Sequence, residues 1–214
     1  MNVDPLNELR LMTPRLELRL GTRNELVGLG CLAQEGIHPP EEMPFAVAWT
    51  DRSGDEGFVE SFVEFHEAAL RDWRPEKWTL NLLVFTGGRP VGSQTIAAAN
   101  FASTRTVATG SWLGKQFQRQ GLGTEMRIAV LELAFRELGA VAATSGAIVG
   151  NQTSKRVSDK LGYTIAGTST VSPRGEPLLH YDLMIERDAW ASPVPVEIVG
   201  LHGCLALFGL TAAS

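Results

Sequence analysis

Leu16-Glu17-Leu18-Arg19-Leu20 alternates apolar and charged side chains, the period-two pattern of a strand that buries one face. Pro14 and Gly21 bound it. From Thr22 to Leu32 the pattern predicts a short helix, with Thr22 as N-cap and Glu25 three residues on completing a capping box. Three prolines fall between Pro39 and Pro44. The stretch from Gly36 to Phe45 is therefore expected to be a long ordered loop, because proline neither continues a helix nor donates to a ladder. Phe45 and Trp49 supply apolar anchors for it. Ser53-Gly54-Asp55-Glu56 reads as a second capping box, opening a helix whose apolar positions Phe58, Phe62, Phe65, Ala69 and Leu70 recur at helical spacing. His66 on that helix is expected to face solvent.

Trp78 to Phe85 reads as a strand, Gly87-Gly88 as a hairpin turn and Val91 to Ala99 as the returning strand. Arg105 to Leu113 is a further strand, ended by Gly114. Thr124 to Leu138 has the pattern of a longer helix: Met126, Ala129, Val130, Leu133, Ala134 and Leu138 share a face, and Glu132 and Arg136 form an i,i+4 pair. Gly139 stands where a C-terminal cap belongs. Ala140 to Val149 is small, apolar and uncharged, as a strand buried on both faces would be. A short helix is expected from Gln152 to Leu161, with Asn151 as N-cap and Gly162 as its stop. Two strands follow, Tyr163 to Val171 and Leu178 to Ile185, around a Pro173-Arg174-Gly175 turn. These elements predict one mixed α/β domain over residues 1–190 with a mostly antiparallel sheet. Residues 191–214 form a C-terminal extension, whose apolar Val199, Leu201, Leu205, Leu207 and Phe208 suggest an added strand or a subunit contact in a homo-oligomer.

Composition narrows the function classes. A formal net charge of −5 leaves no basic surface of the kind that binds nucleic acid. Cys31 and Cys204 lie far apart and belong to no Cys/His cluster, so neither a disulfide framework nor a thiolate metal site is expected. Met1 is followed by Asn-Val-Asp-Pro rather than by a basic and then an apolar run, and Ile198 to Leu210 is too short and too interrupted to span a bilayer. The expectation is a cytoplasmic protein with no metal and no membrane partner.

The candidate chemistry lies in Gly110-Ser111-Trp112-Leu113-Gly114-Lys115-Gln116-Phe117-Gln118-Arg119-Gln120-Gly121-Leu122-Gly123-Thr124, which runs from a strand through a glycine-bearing turn into the longer helix. Gly121 and Gly123 allow close approach of the backbone to a ligand. The helix that follows aims unpaired N–H groups and the positive end of its dipole at the same space, a setting for an anion such as a pyrophosphate. Gln118, Arg119 and Gln120 add side-chain donors. The stretch lacks the Gly-Lys-Ser/Thr ending of a Walker loop and the spacing of a dinucleotide fingerprint. A strand–helix connection that merely needs small residues is the plainer reading.

Gln118-x-x-Gly121-x-Gly123 at a strand-to-helix turn resembles the acyl-CoA pyrophosphate motif of the GNAT superfamily, the GCN5-related N-acetyltransferases. Asn151-x-x-Ser154-x-x-Val157-Ser158-Asp159-Lys160-Leu161-Gly162-Tyr163 is similar to the second signature of that family. Leu11-x-Thr13-Pro14-Arg15-Leu16-x-Leu18-Arg19 resembles its RimJ/RimL branch. The Gly36–Phe45 loop with Trp49-Thr50-Asp51 resembles an actinobacterial subgroup, at least one member of which binds succinyl-CoA. The resemblance covers about Leu11 to Trp190.

It implies a GNAT fold, with a sheet that splays after the strand ending near Leu113 and a pantetheine arm lying in the gap. Main-chain groups of Ser111, Trp112 and Leu113 would hold that arm and polarise the thioester carbonyl. Residues 118–124 (Gln118, Arg119, Gln120, Gly121, Leu122, Gly123 and Thr124) would bind the pyrophosphate, and Asn151 and Ser154 the pantetheine or the leaving sulfur. His38, Met43, Phe45 and Trp49 are either core filling or the wall of the acceptor pocket. The acid that is usually a tyrosine in this family falls on Ser158, so the resemblance to RimL-type enzymes implies Ser154 as the proton donor to sulfur. Tyr163 is assigned to the core. The base is open between His180, His38, Glu35, Glu41 and a water, with Glu176 as the nearest match to the RimL-type glutamate. The implied activity is transfer of acetyl, with succinyl as a further donor, from acyl-CoA to a primary amine of a small molecule, protein N-terminus or lysine, by direct attack in a ternary complex. The alternative is a non-catalytic acyl-CoA sensor.

Overall fold

A computed structural model describes residues 1–210; the last four residues of the C-terminal extension lie outside the described part. Strands β1 (Arg10–Met12) and β2 (Glu17–Arg19) form a short antiparallel pair, followed by helix α1 (Arg23–Gln34). Helix α1 carries the expected capping box, with Thr22 Oγ1 accepting from the Glu25 N–H and the Glu25 carboxylate accepting from the Thr22 N–H. Arg19 pairs with the same carboxylate at 2.6 Å, and this hydrogen-bonded pair holds the Glu25 carboxyl at about 2. Helix α2 spans Phe58–Arg71, and strands β3 (Lys77–Thr86) and β4 (Arg89–Ala99) form the expected hairpin. A one-turn helix α3 (Phe101–Thr104) leads to β5 (Thr106–Leu113) and α4 (Leu122–Glu132). Strand β6 (Ala142–Ile148), helix α5 (Gln152–Lys160), and strands β7 (Thr164–Val171), β8 (Leu178–Glu186) and β9 (Glu197–Val199) complete the chain.

All strands belong to one sheet in the order β7-β8-β6-β5-β4-β3-β2-β1-β9. Every neighbouring pair is antiparallel except β5 and β6, which run parallel. That is the connection made by α4, since parallel neighbours need a crossover. Helices α1 and α2 cover one face of the sheet, through Leu26, Leu29, Leu32, Phe62, Val63, Leu83 and Phe85. Helix α4 fills the other with Met126, Ala129, Val130, Leu133 and Ala134, all 2% exposed or less. Strand β9 pairs with β1 at the sheet edge, Leu11 opposite Ile198. Beyond it Phe208 is fully buried, 4.9 Å from the Trp78 ring and 5.6 Å from Trp73, whose indole N–H donates to the Leu207 carbonyl at 2.8 Å.

Four local expectations need correction. The second capping box does not form: Gly57, in the left-handed region at φ +78, precedes Phe58 with no side-chain cap, and Asp55 is engaged instead by Arg52 at 3.1 Å. The buried stripe of α2 is Phe58, Phe62, Val63 and His66, while Phe65 is 62% exposed. His66 packs 4.8 Å from the Phe62 ring, and burial pushes its imidazole down to about 4. The long helix starts two residues earlier than expected, and its last turn, Leu133–Glu137, is π-helical, the Leu138 N–H reaching back to the Leu133 carbonyl at 2.9 Å. The Glu132–Arg136 pair forms at 2.9 Å. Finally, β6 is not buried along its whole length. Thr144, Ser145 and Gly146 are half-buried, at and just beyond the point where the pairing with β5 ends. The pattern also gave no sign of β1, which is too short to show a period.

Two outcomes follow from this packing. Phe208→Ala is expected to cost about 3–5 kcal/mol, the usual range for removing a fully buried aromatic ring, read as the shift of the urea midpoint. For His66, the unfolded imidazole binds a proton below its ordinary 6.5 while the folded one resists until about 4. Stability is therefore complete above the upper value and falls as pH drops towards the lower one, by about 3 kcal/mol. Urea unfolding across that window should show the fall in the wild type and a flatter profile in His66→Gln.

Candidate functional site

The parallel pairing of β5 and β6 stops at Ala108 opposite Thr144. Two side-chain bonds close the paired part, from Thr109 Oγ1 to the Thr144 carbonyl at 3.0 Å and from Ser145 Oγ to the Thr109 carbonyl at 3.2 Å. Beyond them each strand follows its outer neighbour, β5 staying on β4 as far as Leu113 and β6 on β8 as far as Ile148. A wedge opens between them, with the inward main-chain groups of Gly110 to Leu113 on one side unpaired by any strand. Arg127 of α4 spans the wedge from below. Its two terminal nitrogens donate to Ser145 at 2.9 Å and to Ser111 at 3.2 Å. The residue is 4% exposed, its Nε has no partner, and no carboxylate pairs with it among the described residues. Sequence reasoning missed this arginine; a lone cation in the otherwise apolar register of α4 was the available signal.

At the end of β5 the chain bends from Gly114 to Gly121. Gly121 lies at φ +80 as the residue before α4, and no side chain caps the helix. Leu122 is buried, while Thr124 is half-buried and donates its N–H to the Gly121 carbonyl at 3.1 Å. The N–H groups of residues 121–123 have no main-chain acceptor among the described residues, so they and the helix dipole converge on the space outside the bend. A side chain at Gly123 would meet Leu113 and Val157 at ordinary contact distance, where α4, β5 and α5 come together.

The glutamines of this bend do not point their amides outwards, contrary to the sequence expectation of free donors. Gln118 Nε2 donates to the carbonyls of Ile37 and Leu113, both at 2.8 Å, and Gln120 Nε2 to that of Gln116. Arg119 is exposed at φ +60. A second residue that the motif pointed to without a role is Arg15. Its guanidinium binds Glu125 in the first turn of α4, with Nε 2.6 Å from the carboxylate, and also donates to the Gln120 carbonyl at 2.9 Å. Thr13 and the Arg15 N–H complete the hold on Glu125, which is 5% exposed.

Across the wedge, Asn151 caps α5 by accepting from the Ser154 N–H at 3.0 Å, and its own amide reaches the Pro44 carbonyl. Ser154 is half-buried; Ser158 is fully buried with its hydroxyl unpartnered, facing the interior. Tyr163 belongs to the core, 4% exposed with its hydroxyl 3.3 Å from Thr109. The loop before α2 roofs the α1/α2 face of the wedge. Trp49 packs 5.5 Å from Trp112, 6.3 Å from Phe58 and 5.4 Å from Phe45; Met43, in the same loop, is half-buried. Arg174 ties the loop to the β7–β8 turn through Asp51 at 2.6 Å and the Pro40 carbonyl at 2.9 Å. That pair holds the Asp51 carboxyl below its ordinary range. His38, 5.6 Å from the Phe45 ring, spends both nitrogens inside the loop, on the Pro39 carbonyl and Thr50 Oγ1, each at 2.8 Å. Glu35 accepts from Gln116, whereas Glu41 and Glu176 are exposed in turns.

No helix among the described residues is long and apolar enough to cross a membrane, and no three of their His, Cys, Asp or Glu side chains gather as a metal site would. Among solved structures, the chain is similar to Mycobacterium smegmatis RimJ in complex with a CoA disulfide (17% identity, TM-score 0.67, covering 86% of this chain and 90% of that one). It is also similar to RimL, a ribosomal L7/L12 alpha-N-protein acetyltransferase in complex with coenzyme A (17%, 0.64, 83% and 97%). A third is the microcin C7 self-immunity acetyltransferase MccE in complex with acetyl-CoA and AMP (18%, 0.66, 81% and 93%). At these identities the likeness is one of fold. Residues 15–164 match the family model of the acetyltransferase (GNAT) domain. With that match spanning most of the sequence and the wedge and bend lying within it, the chain belongs to the GNAT family of acyl-CoA-dependent N-acyltransferases.

Proposed function

We propose that the chain transfers an acetyl group from acetyl-CoA to a primary amine by direct attack in a ternary complex. The observation that carries this is the uncapped start of α4 beside the parted strands: anion-seeking N–H groups at one end of a gap whose main chain no strand pairs on its inward side. In this reading the N–H groups of residues 121–123, the Thr124 hydroxyl and Arg119 hold the pyrophosphate. The inward main chain of Ser111, Trp112 and Leu113 holds the pantetheine and polarises the thioester carbonyl, an oxyanion contribution oriented before reaction. Gln118 shapes the bend, and Asn151 sets the start of α5 so that the Ser154 hydroxyl can supply a proton to the departing sulfur. The amine enters on the α1/α2 face, under the loop of His38, Met43, Phe45 and Trp49. An α-amine, whose ordinary pKa is roughly 8, is readier to attack than a lysine near ~10.4, which favours a small-molecule amine or a protein N-terminus. RimL is described as an alpha-N-protein acetyltransferase, in line with that class of acceptor. Two free thiols suit a reducing cytoplasm.

A succinyl donor is the second reading, favoured by the buried, carboxylate-free guanidinium of Arg127 under the wedge. Rates with succinyl-CoA and acetyl-CoA separate the two. A preference for succinyl-CoA that Arg127→Met reverses supports it, and an unchanged ratio removes it.

Gly121→Glu should abolish coenzyme A binding in calorimetry, by placing bulk and negative charge at the anion site while the fold persists by circular dichroism. Unchanged affinity would refute the assignment. Ser154→Ala should lower kcat by about a hundredfold, within the range for one proton-transfer group, with little change in coenzyme A affinity. Thiol release with a panel of amines tests the activity itself: turnover excludes a non-catalytic sensor, whereas tight coenzyme A binding without turnover on any amine supports one.

A further inference from the structure

Among the groups that sequence considered as the base, only His180 lies on the sheet face beside the wedge. In the β6–β8 ladder His180 is opposite Ile148 and Asp182 is opposite Gly146, so these four residues share one face. It is the face that carries Trp112, since Ala108 and Thr144 are paired in register and Trp112 and Gly146 follow them at even spacing. Gly146 is two residues beyond that last pair, inside the wedge. Its missing side chain makes room for the imidazole: a Cβ there would lie 2.1 Å from His180 Cε1 and 2.3 Å from Nε2. Across the gap Gly110 faces open space. The histidine ring therefore lies against the floor of the wedge with nothing bulky between it and β5.

The other nitrogen is held. Nδ1 is 3.2 Å from Asp182 Oδ1, and that carboxylate also accepts from Ser169 Oγ at 2.8 Å. Those two hydrogen bonds, the serine's first, keep the Asp182 carboxyl below its ordinary range. The anion can only accept, so Nδ1 carries the proton and the lone pair sits on Nε2. The His180 side chain is 18% exposed, enough for a ligand to reach it. Gly146 from β6 and Ser169 from β7 bring no charge to the ring, which leaves Asp182 as the charged group hydrogen-bonded to it. His38, by contrast, has no unused nitrogen.

We propose that His180 is the general base of the reaction and Asp182 the residue that positions it, which rests on the acyl-transfer reading above. The amine lone pair attacks the thioester carbon, forming the C–N bond as the carbonyl pair moves onto oxygen. Nε2 takes a proton from the amine nitrogen, and Asp182 balances the imidazolium. The oxygen pair then re-forms the carbonyl, the C–S bond breaks with its electrons on sulfur, and the thiolate takes the Ser154 hydroxyl proton, which the serine recovers from water. His180 returns its proton to water, leaving amide and coenzyme A thiol.

The test uses the whole chain, an amine found by thiol release, and acetyl-CoA. His180→Ala should lower kcat by about a hundredfold or more, leave the coenzyme A dissociation constant unchanged, and regain rate on addition of free imidazole. Asp182→Asn should lower kcat less and move the acid limb of the rate profile to lower pH, because the imidazolium loses its counter-charge. His180→Gln guards against a packing defect in the alanine variant. A wild-type rate in either histidine variant overturns the base while the transferase reading stands. A loss that imidazole fails to restore also overturns it, in favour of a packing role. Absence of turnover by the wild type on every amine, with coenzyme A bound, overturns both.

Discussion

Parallel pairing between β5 and β6 lasts for three residues and then stops, and the rest of the site depends on that break. Each strand keeps its outer partner, so the sheet gains a wedge without losing its edges or its core. The main-chain groups exposed there are strong donors and acceptors that a closed ladder would have consumed. A ligand that completes such a ladder is held by backbone geometry rather than by side-chain identity. The helix that makes the crossover begins at the mouth of the same wedge, which puts its unpaired N–H groups and dipole beside the gap. One topological feature thus supplies both ends of a site for a long, anionic ligand.

The wedge is braced by polar contacts that bury charge. Arg127 bridges the two strands from the α4 side through serine hydroxyls. Arg15 and Thr13 clamp Glu125 and fix the first turn of α4 against the start of the sheet. Breaking a buried pair by removing one partner is costly, because it leaves the other charge uncompensated. Such contacts determine which arrangement is adopted more than they add to its stability. On the opposite face, the proline-rich loop is held at Ile37, Pro40, Pro44 and Asp51 by residues from three separate elements. A loop tied at so many points forms a fixed roof over the wedge, and the tilted packing of Trp49 on Trp112 joins that roof to β5.

The protein reads differently on its two faces. The α4 face is apolar and filled, with the C-terminal segment adding Phe208 to the tryptophan pair of β3 and the chain before it. The α1/α2 face is filled as far as Trp112 of β5; over β6 to β8 it leaves Gly146, hydroxyls and the His180–Asp182 pair accessible. This division separates the residues that stabilise the sheet from those available for chemistry.

Much of the architecture was legible along the chain. The alternation of Leu16–Leu20, the Thr22 capping box, the Gly87-Gly88 hairpin and the apolar face of α4 each depend on residues a few positions apart, so local physics decides them. The glycine bend and the Asn151 cap were legible for the same reason. Where local signals competed, one won or packing decided: Ser53 closes the Trp49–Arg52 turn and α2 starts only after Gly57, so the Ser53–Glu56 box does not form, and α2 turns to bury His66 and expose Phe65. Long-range partners lay beyond any pattern in the sequence. Nothing near Gln118 shows that its amide will turn inward to Ile37. Nothing near His180 shows that the missing side chain of Gly146 will make room for its ring. Sequence determined which segments become strands, helices and the glycine-bearing bend, because hydrophobic period and capping act over one or two turns. Only the folded sheet decided which histidine stands beside the opening, because that neighbourhood joins strands more than thirty residues apart.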